Sequence, residues 1–229
     1  YGHFRVMPVT GGINVRDLSC SIERDSARAG YYCAELGNGV KAELSVTPSV
    51  GFHRYVFPPT PEAHLHIDAS SLLDKGSTPQ HLLACGIEIL SDTEMSGYCT
   101  SEGGWNVGDP FTVYFYLKAD RPAIAWGTFR GDRFSPGRTS ELSVNRNDHW
   151  PKSAYFTYDA SGGETVNLKV GLSYVSVEQA RENYRREAAS IDLETAAEEA
   201  AGAWEQYTGR LRIEAAEESV KTLIYNGIY

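Results

Sequence analysis

The segment HLHID places His64, His66 and Asp68 on one side of an extended chain and Leu65 and Ile67 on the other, because side chains alternate across a strand. An H-x-H pair at this spacing binds zinc or another divalent ion when a neighbouring strand brings a third ligand. Plain solvent-facing alternation writes the same letters. The run VGFHRYVFPP, Val50 to Pro59, sets His53 beside Arg54 among aromatic and apolar neighbours. On a strand Phe52, Arg54 and Val56 share one face and His53, Tyr55 and Phe57 the other, so both faces are mostly apolar. That pattern predicts a central strand covered on both sides, with His53 or Arg54 paired to a carboxylate or carbonyl inside the fold.

Carboxylates that flank a cleft could work as an acid and base pair, and Glu23, Asp25, Glu88, Asp92 and Glu94 are available. Spacing alone does not say which of them meet. Trp105, Trp126 and Trp150 could stack on sugar rings or fill a core. The chain holds no GxSxG, GxxxxGK[ST], HExxH or GxGxxG motif, so it lacks these sequence signatures of a nucleophile elbow, phosphate cradle, zinc protease and dinucleotide fold.

These residues must be positioned by strands. From Tyr1 to about Val175 the pattern is period two, broken by Gly, Pro, Asn and Asp, as half-buried antiparallel strands require. KAELSVT turns Ala42, Leu44 and Val46 one way; FTVYFYLKA does the same with Phe111, Val113, Phe115 and Leu117, and ETVNLKVGL with Val166, Leu168, Val170 and Leu172. A large antiparallel β-sandwich over 1–175 is expected. Near Ser176 the period changes. SVEQARENYRREAA offers Ser176 as N-cap with Gln179 at the capping-box position, and DLETAAEEAAGAWEQYTG offers Asp192 as N-cap with Gly209 as the stop. Its apolar stripe is Leu193, Ala196, Ala197, Ala200, Trp204 and Tyr207. A third helix places Val220, Leu223, Ile224 and Ile228 at helical spacing, and that apolar face needs a partner outside these residues. The division expected is therefore a β domain over 1–175 and helices over 176–229. The opening YGHFRVMP, without an initiating Met, reads as the middle of something longer.

At 229 residues and 41% apolar content the chain has material for a sizeable core. Its formal charge of -9 repels phosphate backbones and anionic lipid, so neither nucleic acid nor membrane is an expected partner. No stretch approaches the roughly 18 apolar residues of a membrane span. Cys20, Cys33, Cys85 and Cys99 lack close CxxC pairing; two disulfides, Cys20 with Cys33 and Cys85 with Cys99, and four buried thiols are both open readings.

Beyond these readings, ARAGYYCAEL, GVKAELSVTPSVGFHRYVFP, VYFYLKADRP, VNLKVGLSYVSVEQARENYRREA, AWEQYTGRLRIE and KTLIYNGIY occur in order along the chain. Together they resemble the N-terminal region of family-92 glycoside hydrolases, the calcium-dependent exo-α-mannosidases. The resemblance implies a galactose mutarotase-like β-supersandwich followed by linker helices that begin an (α/α)6 barrel, with an α-mannoside glycan held in the cleft between the two. It implies inversion, with one carboxyl group as acid and another activating water, about 6.5–9.5 Å apart. It assigns both groups and the calcium ligands to a C-terminal helical domain outside this chain, so no catalytic and no metal-binding residue is expected here. Secretion is implied as well.

Two departures bear on the substrate. His3 stands where the family often has an acidic residue after Tyr-Gly, and is expected to contact substrate, with a phosphorylated mannoside as one possibility. In SIERDSARAGYY, Ser21 and Glu23 match a family-like SHENE segment while Ile22 replaces its His; Glu23 is the second expected substrate contact. The expected function is one wall of a mannosidase cleft and the scaffold for the catalytic half, this piece alone being inactive. A non-catalytic carbohydrate-binding sandwich and the sandwich of another sandwich-plus-barrel glycosidase are the alternatives.

Overall fold

The computed structural model describes residues 2–72, 79–104, 106–144, 148, 150–211, 213–214 and 217–228. Fourteen strands among them form two antiparallel sheets. The smaller sheet runs in the order β1 (Arg5–Thr10), β6 (Thr60–Asp68), β13 (Lys152–Ala160), β10 (Ala125–Arg130), β11 (Arg133–Pro136). The larger begins with β12 (Ser140–Leu142), β7 (Gln80–Ile89), β8 (Glu94–Gly103) and β9 (Asn106–Ala119). It continues through β14 (Glu164–Ser173), β5 (Val50–Phe57), β4 (Lys41–Val46), β3 (Tyr31–Leu36) and β2 (Ile22–Arg28).

The two sheets pack face to face. Leu65, Ile67, Ala154 and Phe156 from the smaller one meet Tyr55, Phe57, Phe115, Leu117, Val166 and Leu168 from the larger in one apolar layer. Area removed from water at roughly 25 cal/mol per Å2 makes this layer the main favourable contribution to folding. The alternation of β9 and β14 places the expected residues inward, except that Leu172 at the strand end is 40% exposed.

The outer face of the larger sheet carries the helices. The last strand ends at Ser173, and α1 (Val177–Glu187) and α2 (Leu193–Thr208) follow. Ser176 caps α1 by accepting from the Gln179 N–H, and Asp192 caps α2 by accepting from the Thr195 N–H. The Gln179 side chain does not complete a reciprocal box; its amide donates to Asn183 instead. Val50 and Phe52 pack beneath Ala188, Leu193 and Ala196. Lys169 donates to the carbonyls of Ala188 and Ile191 at 2.7 and 2.6 Å, closing the end of α1.

This cover alters one expectation. On β4 the outward residues Glu43 and Ser45 are buried and Val46 is 56% exposed, because α2 lies over the polar face. Glu43 accepts a hydrogen bond from the Tyr31 hydroxyl at 2.5 Å and pairs with Lys41 and Arg54. The third helix, α3 (Glu218–Ile228), buries no residue, and Leu223 is 73% exposed.

Candidate functional site

At one end of the sandwich the two sheets part and leave a cavity of about 810 Å3. Its walls continue the apolar layer: Phe4 and Val6 from one side, Phe111, Val113, Val170 and Leu172 from the other. His3 sits at its edge, just ahead of β1. Its Nε2 is 3.0 Å from the Ser101 Oγ, and its ring meets Phe111 edge to face at 5.1 Å between centroids. Burial lowers the His3 pKa below the ordinary imidazole value, so the neutral ring prevails at pH 7. Tyr174, exposed, stands 6.3 Å from Phe111 and forms a second aromatic element of the rim.

His53 lines the same cavity, but its Nδ1 is 2.8 Å from the Tyr55 hydroxyl. Burial pushes its pKa down to about 4. Arg54, on the opposite face, donates to Glu194 of α2 and to Asn167. The run around His53 and Arg54 is thus a covered interior strand with its polar groups paired, as the pattern predicts.

Glu23 lies elsewhere. It sits on β2, the exposed edge of the larger sheet, accepts a hydrogen bond from the Ser21 hydroxyl at 2.6 Å and is not among the residues lining the cavity. His3 and Glu23 are therefore not brought together. The other carboxylates are dispersed: Asp25 accepts from the Tyr32 hydroxyl, Glu88 is exposed on β7, and Glu94 pairs with Lys118 and Arg181 at 3.0 and 3.1 Å. Burial raises the Glu94 pKa, but these cationic partners outweigh it and hold the carboxyl below its ordinary value. Among the described residues lining the cavity, Asp109 is the one carboxylate, whereas acid and base work on a glycosidic bond needs two. The cavity's aromatic and apolar walls can bind and orient a ring.

His64, His66 and Asp68 share a face of β6, where hydroxyl partners on β13 engage both rings. His64 Nδ1 is 2.9 Å from Thr157 Oγ1 and His66 Nε2 is 2.8 Å from Ser153 Oγ, both rings being buried. Asp68 accepts from Ser70 and Arg5. Among the described residues no group of three or more His, Cys, Asp or Glu is placed to hold a metal; these residues do not fit a calcium cage. Trp126 packs on the core and Trp150 is exposed over Gly131, while Trp105 lies outside the described residues. All four cysteines are free, Cys85 and Cys99 buried and Cys20 and Cys33 half-buried. No helix among the described residues is long and apolar enough to cross a membrane.

The comparisons with known proteins converge. A family model described as the glycosyl hydrolase family 92 N-terminal domain matches residues 1–173. A curated protein named as an uncharacterized secreted glycosidase of Arthroderma benhamiae is 25% identical over 206 residues, which are 82% of this chain and 26% of that protein. A family GH92 alpha-mannosidase of Bacteroides thetaiotaomicron shares the fold with a TM-score of 0.85 at 21% identity, over 100% of this chain and 31% of that one. A family GH92 inverting mannosidase of the same organism does so with a TM-score of 0.78 at 23% identity, over 93% and 27%. The chain thus spans about a quarter to a third of the length of these relatives.

Proposed function

Because this chain belongs to glycosyl hydrolase family 92 and carries its N-terminal domain, we propose that it forms one wall of the substrate cleft of a secreted, inverting exo-α-mannosidase. In this reading residues 1–175 are the sandwich domain, and residues 176–229 are the linker and the start of a helical (α/α)6 catalytic domain. That domain supplies the acid, the base and the calcium ligands. Its surface would cover the apolar face of α3. The observation that carries the reading is the cavity at the sandwich end, aromatic and open, with His3 at its edge. Such a wall binds and orients; it leaves bond cleavage to groups brought by the other half.

The chain's own residues would act by position. Phe111 and Tyr174 offer apolar faces to a sugar ring and exclude water on that side. His3, neutral and already bonded to Ser101, would exchange a hydrogen bond with a mannose hydroxyl. Its lowered pKa favours a hydroxyl over a phosphate dianion, so an unmodified mannoside is the better fit. Glu23, on the open edge, would reach a more distant unit of a mannose-containing glycan.

The test is release of mannose from α-mannosides by the complete polypeptide, with and without a calcium chelator, beside residues 1–229 alone. Chelator-sensitive release by the complete chain only is the expected result. In the complete chain, His3→Ala should raise KM severalfold for the mannoside and less for the phosphomannoside, narrowing the preference between them. If neither polypeptide releases mannose while both bind it, the chain is a binding module and the mannosidase reading falls.

A further inference from the structure

A second pocket, of about 710 Å3, lies on the outer face of the smaller sheet, and its lining comes from residues far apart in sequence. Phe129 of β10, Phe134 of β11 and Tyr155 of β13 form a three-ring cluster with centroid separations of 5.1, 5.7 and 5.5 Å. Phe134 and Tyr155 are stacked at 30° between planes, and Phe134 is 52% exposed. The arrangement depends on Gly127 between them. A Cβ there would stand 2.5 Å from the Ser135 carbonyl oxygen and 3.0 Å from the Tyr155 ring, so only a glycine lets Tyr155 lie down across β10 beside Phe134.

A strap of residues 11–17 crosses above these rings. It is anchored at its start by the Gly11 N–H donating to the Glu62 carbonyl at 2.8 Å, and turned by the Asn14 side chain accepting from the Arg16 N–H. At its far end the Arg16 guanidinium makes two hydrogen bonds to Asp132, in the turn between β10 and β11. Buried His64 forms part of the lining, and burial keeps its pKa below the ordinary value, so it brings no positive charge. The charged residues of the lining are Arg16, Glu62 and Asp132.

This chemistry selects a ligand class. A polyanion finds one cation already neutralised by Asp132, and a purely apolar ligand would leave the Arg16–Asp132 pair desolvated without new partners. A guanidinium donates five hydrogen bonds and a carboxylate accepts about four; having spent two on each other, the pair keeps most of its capacity. An exposed aromatic face flanked by such a fork suits a neutral ligand with one apolar C–H face and a fringe of hydroxyls. We propose that this pocket binds a saccharide ring, stacked on the exposed Phe134, which buried Tyr155 supports from beneath, and hydrogen-bonded through its hydroxyls to Asp132 and Arg16. The pocket chemistry stands independently of the mannosidase reading; only the choice of mannan as first probe rests on it.

The test uses the complete polypeptide in affinity gel electrophoresis through yeast mannan and, separately, dextran, with turnover of an aryl α-mannoside measured in parallel. Wild type should be retarded, and Phe134→Leu, which keeps apolar bulk but loses the ring, should bind roughly tenfold more weakly. Asp132→Asn, which keeps the shape of the turn, should weaken binding as well, and it decides the matter should Phe134→Leu lower the melting temperature. Retardation that is equal in wild type and both variants, or absent in all three, overturns the proposal. Phe134-dependent retardation in dextran alone, without aryl-mannoside turnover, sinks the mannosidase reading and leaves the pocket standing. Turnover with Phe134-independent retardation does the reverse.

Discussion

Arg54 on β5 holds Glu194, in the first turn of α2, by two guanidinium–carboxylate hydrogen bonds of 2.5 and 2.7 Å. The pair ties the sandwich to the helices that follow it, and the acidic partner also sits at the favourable end of the helix dipole. Glu194 is more than half exposed, so solvent screens the pair and its contribution is about 1 kcal/mol. Arg54→Lys cannot make the paired fork. We expect a melting temperature lower by a few degrees and faster amide exchange in the first turns of α2, with β9 unaffected. Unchanged exchange in α2 would show that apolar packing alone docks the helix.

Gly30 governs how closely α2 can approach. Its φ is +77°, and a Cβ there would lie 2.7 Å from the Ala200 Cβ and 2.8 Å from the Ala197 carbonyl oxygen. Gly30→Ala adds left-handed strain to a backbone clash, together about 2–4 kcal/mol. Gly162→Ala, at a turn where nothing lies within 4 Å of the added carbon, is the control and should change stability by less than about 1 kcal/mol. Equal melting temperatures for the two variants would contradict the close contact between the β2–β3 turn and α2.

Much of this architecture is legible in the chain because alternation records which side of a strand is apolar. Phe115 and Leu117 could be placed inward, and Arg54 given a carboxylate partner, from local pattern alone. Glu43 and Ser45 could not, since they look solvent-facing until a helix 150 residues later covers them. The second pocket was illegible for the same reason: Arg16 and Asp132 are 116 positions apart, and neither carries a local signal of the other. His64 and His66 show the converse, a metal-like spacing whose rings the fold pairs with Thr157 and Ser153 on β13.

The four thiols should divide by accessibility. Cys85 and Cys99 face each other across β7 and β8, fully buried, and burial pushes the Cys99 thiol up to about 12 and raises that of Cys85. The thiolate is the reactive form. With iodoacetamide at pH 8 and peptide mass mapping, Cys20 and Cys33 should be modified in the folded protein and Cys85 and Cys99 only after denaturation. Modification of Cys85 or Cys99 at a comparable rate in the native state would refute their burial in the central layer.

Acid should weaken the fold through His66. The ring is 2% exposed, and burial, with Asp68 opposing and Arg5 assisting, pushes its pKa down to about 4 from an ordinary 6.5. Between those values the unfolded chain binds a proton that the folded chain does not, so stability falls as pH falls. The contribution is fully present above about pH 6.5, declines by at most about 1.4 kcal/mol per pH unit, and levels off below about pH 4. His66→Gln keeps a polar group near Ser153 but cannot titrate there. Denaturant unfolding at pH 7 and pH 5 should therefore show wild type losing roughly 1–2 kcal/mol more than the variant over that interval. Parallel losses in the two proteins would mean that His66 takes up its proton without unfolding, and that the outer face of the smaller sheet is open to water at β6.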